Sequence, residues 1–227
     1  MGKGAAMGRI AFDIVVFDLD GTLVDTASDL AAALNHALGA LGRPSIPEAQ
    51  VRSMVGHGVR ALIHNGLAAT GEASEALVDE GFPIFLAYYQ AHIADRSRPF
   101  AGVEAALSAL ESEGIKLAIC TNKLEDLTRK LIAALGWAGR FAAIVGGDTL
   151  PQRKPDPAPV REAIARAGGG RAAFVGDSIS DTDAARAAGI ACVAVTFGFS
   201  DCAPEQLGAT TLIDHFDTLV PTLERLG

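Results

Sequence analysis

The sequence predicts an α/β protein: a parallel sheet with helices on both faces, interrupted after its first strand by an all-helical insertion. Three observations carry this. From residue 98 onward, short apolar runs alternate with amphipathic helical patterns, as parallel strands and their crossover helices do. Between residues 24 and 95 the patterns are helical throughout, with no convincing strand. The apolar run Val15, Val16, Phe17 stands alone ahead of that segment, so its backbone finds ladder partners only in the sheet formed later.

Taken in order, that first strand delivers Asp18 and Asp20 on either side of Leu19 and breaks at Gly21. A helix over 25–41 follows, with Leu30, Ala33, Leu34, Ala37, Leu38 and Leu41 at helical spacing behind the candidate caps Asp25, Thr26 and Ser28. Gly42-Arg43-Pro44 ends it, and Pro47 opens a short helix to about 54. Gly56-His57-Gly58 interrupts. Helices are expected at 59–69 and 74–94, the second with an irregularity at Gly81 and Pro83. The pattern changes at Arg98-Pro99-Phe100. Helices at 103–113, 124–135, 158–167 and 180–188 then alternate with strands at 115–120, 141–145, 172–175 and 191–195. A last strand and helix fall between 210 and 226. The division this implies is a Rossmann-like core of residues 1–23 and 97–227 and a helical unit of residues 24–96. Residues 1–8 lack the apolar core of a targeting sequence and read as a frayed end, with Met7 as an alternative start.

With 227 residues the chain is long enough for a core plus a sizeable insertion, and 49% hydrophobic residues exclude disorder. No apolar run reaches the roughly 18 residues of a membrane span, so a soluble protein with no membrane partner is expected. Nineteen basic against 27 acidic residues, spread without a Lys/Arg block, give a net charge of −8 and argue against nucleic acid. An acidic protein that binds an anion must do so with a few local donors or a cation. Cys120, Cys192 and Cys202 lack metal-type spacing, and the first two read as small buried thiols. The odd count, without a signal peptide, points to a reducing cytoplasm.

In a parallel sheet every strand finishes on the same face, so residues just past the strand ends meet in one crevice. Here those ends offer Asp18 and Asp20, then Thr121, Asn122 and Lys123, then Lys154-Pro155, then Gly176-Asp177-Ser178 with Asp181. Four carboxylates together repel unless something positive shares the site. A hard divalent cation answers that need: Mg²⁺ uses one or two carboxylates plus water and phosphate oxygens, which suits Asp18 and Asp177. Lys154, the Thr121 hydroxyl and backbone N–H groups of the 19–21 turn, Gly21 included, supply phosphate donors. The set describes phosphoryl transfer.

Asp18-Leu19-Asp20-Gly21-Thr22-Leu23, Thr121-Asn122, Lys154-Pro155 and Gly176-Asp177-Ser178 with Asp181 resemble, in order, the four motifs of the haloacid dehalogenase-like phosphohydrolases. The inserted helices resemble the cap of that superfamily's first subclass. Val24-Asp25-Thr26, the 29–35 helix segment and Val55-Gly56-His57-Gly58 look most like its bacterial phosphoglycolate phosphatases. The resemblance implies that Asp18 is the nucleophile and Asp20 the acid/base. It implies Mg²⁺ on Asp18, the Asp20 carbonyl and Asp177, with Asp181 supporting through water or by orienting Lys154. Thr121 and Asn122 would hold phosphoryl oxygens, and Lys154 would neutralise both phosphate and Asp18. The implied reaction takes 2-phosphoglycolate to glycolate and phosphate. Another small phosphate ester, pyrophosphate or a sugar phosphomutase reaction stays open, as does a monomer or a homodimer. A receiver-type signalling domain gathers similar residues, but is about half this length and has no helical insertion.

Substrate choice falls to the insertion, where Gly56, Gly58, His57 and Arg60 are candidates to meet a small carboxylate on a phosphorylated metabolite. Gly56-x-Gly58-x-x-Ala61 mimics a dinucleotide fingerprint but follows no strand. Ser178 opens a helix and reads as a cap. His36, His64 and His92 read as surface or packing residues, Trp137 as packing a helix end, and Lys123 as a solvated neighbour of Asn122.

Overall fold

The computed structural model describes residues 10–200 and 202–227, and the frayed end expected over residues 1–8 lies outside them. The first strand, β1 (Ile14–Phe17), is buried along its whole length. Strands β4 (Lys116–Cys120), β5 (Phe141–Val145), β6 (Ala172–Gly176), β7 (Ala191–Val195) and β8 (Thr211–Ile213) join it in a six-stranded sheet ordered β5-β4-β1-β6-β7-β8. All the pairings are parallel. Helices cover both faces, which is why the strands read as continuous apolar runs. Val15 and Phe17 point into one core with Leu117, Ile119 and Val175, while Ile14 and Val16 point into the other with Ala118, Cys120 and Phe174. The second core is completed by α7 (Ala158–Arg166) and α8 (Ile179–Ala188), and the first by α5 (Val103–Ser112), α6 (Glu125–Ala134) and α9 (Leu219–Leu226).

The chain builds outward from β1 through β4 to β5, then crosses back to lay β6, β7 and β8 on the other side. That reversal puts β1 at the switch point, where open parallel sheets bind ligands beyond their carboxyl ends. Register completes the placement. Phe17 is level with Ile119 on one side and Val175 on the other, so the next residues of all three strands emerge at one height.

Helices α1 (Ala27–Ala40), α2 (Glu48–Arg52), α3 (Val59–Thr70) and α4 (Glu75–Ala91) form the insertion and share the first core. α4 runs through both Gly81 and Pro83, where an irregularity is expected, although Pro83 has no N–H to offer the Asp79 carbonyl. Gly81 lies where a Cβ would stand 3.1 Å from Leu41, so it permits close packing on α1's end. The sequence shows no strand in this region, yet Val24–Asp25 (β2) pairs antiparallel with Arg98–Pro99 (β3) where the chain leaves and rejoins the sheet. Two-residue strands carry no periodicity to read. Beside them Asp29, 2% exposed in the first turn of α1, accepts from Arg96 N–H at 3.0 and 3.1 Å, Ser97 N–H at 2.8 Å and the Ser97 hydroxyl at 2.7 Å. Trp137 is buried against the first core, its indole N–H on Glu104 at 2.6 Å. Among the described residues, no helix is long and apolar enough to cross a membrane.

Candidate active site

Beyond Phe17 the chain turns tightly. Gly21, at φ +85°, donates its N–H to the Val24 carbonyl at 2.9 Å, and a Cβ there would collide with the Asp177 carboxylate. Gly21 thus serves the site by lacking a side chain, which corrects its expected use as a phosphate donor. The N–H groups of Leu19 and Asp20, by contrast, donate to no protein acceptor among the described residues.

Asp18 is buried, and its Oδ1 has no hydrogen-bond partner although Lys154 Nζ stands 2.9 Å away. The contact is therefore an ion pair without hydrogen-bond alignment. Lys154 Nζ donates instead to Asp181 Oδ1 at 2.6 Å. The other Asp181 oxygen accepts the N–H groups of Asp177 and Ser178, at 3.1 and 3.0 Å, and the Ser178 hydroxyl at 2.7 Å. Ser178 sits at the N-terminal cap of α8, as expected, and Asp181 reaches back from that helix's first turn. Asp177 is held by the Thr22 hydroxyl at 2.8 Å and the Phe199 N–H at 2.7 Å.

Carboxylate oxygens of Asp18, Asp177 and Asp181 lie within 4.8 Å of one another. Burial pushes Asp18 up to about 6 against the opposing pull of Lys154, with Asp181 adding to the rise. Burial, then Asp181 and Asp18, lift Asp177 to about 8. Burial works against the Lys154 charge, but Asp18 and Asp181 more than offset it and raise its pKa. One ammonium among three carboxylates leaves surplus negative charge. The lifted carboxyls and the unbonded Asp18 oxygen both record it, and a divalent cation would relieve both. Asp181 Oδ2 already accepts three hydrogen bonds, whereas each Asp177 oxygen accepts one and keeps a second lone pair, and Asp18 accepts none among the described residues, so Asp18 and Asp177 have more capacity left to hold that ion. The Asp20 carbonyl, which accepts no hydrogen bond among the described residues, faces no competing donor.

Thr121 Oγ1 accepts the Lys123 N–H at 3.3 Å and donates to no protein group among the described residues, which leaves its proton for a ligand. Asn122 differs from expectation. Its side chain is committed to the Lys154 carbonyl (3.1 Å), the Lys154 N–H (3.1 Å) and the Gly56 carbonyl of the insertion (3.0 Å), so it braces two loops rather than reaching a ligand. What it can still offer is its main-chain N–H.

The sequence reading missed Lys123. Far from solvated, its side chain is 2% exposed, and Nζ lies 3.0 Å from both Asp20 oxygens and 2.8 Å from the Tyr89 hydroxyl of α4. The Thr26 hydroxyl also donates to Asp20 Oδ1, at 2.8 Å. A lysine beside Thr-Asn at a buried strand end was a readable hint; its partner Tyr89 was not.

Of the insertion's candidates, Gly56 and Gly58 border a cavity of about 30 Å³ with Asp18, Asp20, Thr121 and Lys123. His57 faces an adjoining cavity of about 250 Å³ beside Asp177 and Ser178, and Asp20 and Gly56 border both. Arg60 corrects another expectation: it borders neither, its guanidinium pairing with Glu75 and Asp79 at 2.8 Å each on the next helix. The insertion touches the sheet side again through Arg52, which pairs with Asp25 at 3.0 Å and stands 4.5 Å over the Phe199 ring.

Known proteins are similar to this chain in sequence and in fold. The haloacid dehalogenase-like hydrolase family model matches residues 15–195. The phosphoglycolate phosphatase of Mesorhizobium japonicum is 47% identical over 94% of this chain and 96% of its own length. That of Caulobacter vibrioides is 45% identical, covering 89% and 86%. The crystal structure of a predicted phosphoglycolate phosphatase from Haemophilus somnus superposes with a TM-score of 0.88 at 31% identity, covering 93% of this chain and 98% of that one. The match runs from the first strand to the seventh and takes in every acidic residue gathered at the switch point; by sequence and by fold, the chain belongs to the haloacid dehalogenase-like hydrolases.

Proposed function

We propose that the protein is a Mg²⁺-dependent phosphate monoester hydrolase that works through an aspartyl phosphate on Asp18, with 2-phosphoglycolate as substrate. The observation that carries this reading is the Asp18 carboxylate: buried, 2.9 Å from Lys154, and accepting no hydrogen bond among the described residues, it is a nucleophile with its lone pairs free. One of its oxygens attacks phosphorus as the bond to the ester oxygen breaks, and Asp20 gives a proton to the departing glycolate. Water then attacks the phosphorus, Asp20 takes its proton, and Asp18 leaves as a carboxylate. Lys154 balances charge on Asp18 and the phosphoryl group. The Thr121 hydroxyl and the N–H groups of Leu19, Asp20 and Asn122 are the donors left to receive phosphoryl oxygens. Mg²⁺, held by Asp18, Asp177 and the Asp20 carbonyl, would supply positive charge against the phosphoryl oxygens. Asp181 acts as a positioning residue through Lys154. Uncatalysed hydrolysis of such esters is slow enough to need enhancements up to about 10²¹, so positioned charge is the main requirement.

Residues 24–96 act as a cap over the core of residues 97–227 and the first strand. Residues of both the cap and the core line the two adjoining cavities, so the cap opens to admit substrate and closes over it to exclude solvent. Relatives named phosphoglycolate phosphatase support a small phosphorylated metabolite. The test is kcat/KM with Mg²⁺ over 2-phosphoglycolate, sugar phosphates, nucleotides and pyrophosphate. A dominant rate on another compound, isomer interconversion of a sugar phosphate, or stable phosphorylation without turnover would each replace this reading.

A further inference from the structure

We propose that Lys123 is the specificity-determining residue of the cavity, binding the carboxylate that the leaving group carries. The inference deepens the phosphoglycolate reading and rests on it. An acid that protonates the ester oxygen must lie within hydrogen-bond reach of it. Lys123 Nζ is 3.0 Å from both oxygens of Asp20, so a group two bonds beyond that ester oxygen falls within the ammonium's reach. In 2-phosphoglycolate that group is the carboxylate.

The rest of the wall offers no rival. Leu30, Val55, Val59 and Leu62 line the insertion's side of the cavity with hydrocarbon. Arg60 is held away by Glu75 and Asp79, and His57 faces the adjoining space. Lys154 is committed to Asp18 and Asp181 and does not border this cavity. Among the described residues, Lys123 is thus the only cationic side chain lining it.

The ammonium can also take an incoming anion without abandoning its present partners. It has three N–H groups. Tyr89 takes one, and the contacts to two oxygens of one carboxylate are redundant, especially as the Thr26 hydroxyl also holds Asp20 Oδ1. The Lys123 side chain is 2% exposed, so it meets a ligand away from bulk water. A charge-assisted bond there is stronger than the same bond in water. Because Tyr89 belongs to α4, the subsite is assembled from both sides only with the helical insertion seated.

The test compares 2-phosphoglycolate with its neutral amide, 2-phosphoglycolamide, on wild type and Lys123→Met with Mg²⁺. One charge-assisted hydrogen bond predicts a wild-type preference for the acid of about 10- to 100-fold in kcat/KM. Lys123→Met should bring that ratio to within about threefold of unity, chiefly through KM for the acid, while Lys123→Arg keeps part of it. Loss of activity on both compounds by the same factor would reduce Lys123 to a holder of Asp20 and overturn the proposal. Should Lys123→Met fail to fold, wild type still decides, since equal turnover of acid and amide overturns the proposal and leaves the phosphatase reading standing. Wild type that releases phosphate from other esters but from neither of these compounds refutes the phosphoglycolate reading, and this subsite with it.

Discussion

Truncating Asp29 tests how the helical insertion is tied to the sheet. Asp29→Ala removes the acceptor for the N–H and hydroxyl of Ser97, which is fully buried, and for the Arg96 N–H at its rim. Two buried donors left unsatisfied cost about 1–3 kcal/mol each, so about 2–6 kcal/mol in all, with the Arg96 N–H regaining water. In a protein of this size 1 kcal/mol shifts Tm by about 2–4 °C, which puts the expected fall near 8–16 °C for a central loss of about 4 kcal/mol. Asp29→Asn keeps the shape and one acceptor oxygen but loses charge assistance, so about half that fall is expected. Thermal and urea unfolding at pH 7, followed by circular dichroism, give both values. Ser97→Ala adds a cycle: because its hydroxyl bonds only Asp29 among the described residues, the double variant should be less destabilised than the sum, by about 1 kcal/mol. A Tm within 2 °C of wild type for Asp29→Ala, or strict additivity with Ser97→Ala, would refute the claim that this carboxylate pins residues 96–97.

Asp18→Asn is expected to abolish phosphate release while leaving the circular dichroism spectrum unchanged. Without metal it should unfold at an equal or higher temperature than wild type, since a neutral amide replaces a carboxyl that burial and Asp181 push up to about 6. Lys154→Met strands the buried Asp18 and Asp181 carboxylates, and breaking such a pair costs about 3–5 kcal/mol. Turnover should be lost as well, and an unchanged Tm would count against the pairing. The pH dependence has a defined sign. Asp177 rises from an ordinary 3.8 to about 8 in the folded chain, so the metal-free fold binds the extra proton between those values. Its contribution is fully present below about pH 4 and is lost as pH climbs through about 8. Mg²⁺ needs the ionised ligands, so the gain in Tm from adding it should grow between pH 5 and pH 8.5. A gain independent of pH would mean that the ion does not bind at Asp177.

Much of this was legible in the sequence for identifiable reasons. β7 falls where its apolar run falls, because a strand buried on both faces leaves no polar residue to blur its ends. Asp18 and Asp177 could be brought together without coordinates because a parallel sheet sends all its strands out on one side. What was hidden depends on contacts that no spacing encodes. Asp29 meets Ser97 across 68 positions, and Lys123 is buried only because Tyr89 and Asp20 close on it from different elements. Arg60 looked available from its neighbourhood in the chain, yet Glu75 and Asp79 on the following helix turn it outward. Asn122 was recognisable as a site residue, but its work in joining Gly56 to Lys154 is a property of two loops meeting in space.

The bond from the Asn122 amide to the Gly56 carbonyl has a consequence for how such an enzyme can be remodelled. The sheet side grips the loop by its main chain, and every amino acid supplies that carbonyl. Provided glycine's backbone freedom is kept at 56 and 58, side chains around them can drift or be randomised in a library without loosening the grip. A helical segment transplanted from a distant relative would need to bring one peptide oxygen to Asn122. It could then arrive with a different lining of its own, so that new substrates are gained above the strand ends while the phosphorus chemistry below stays as it was.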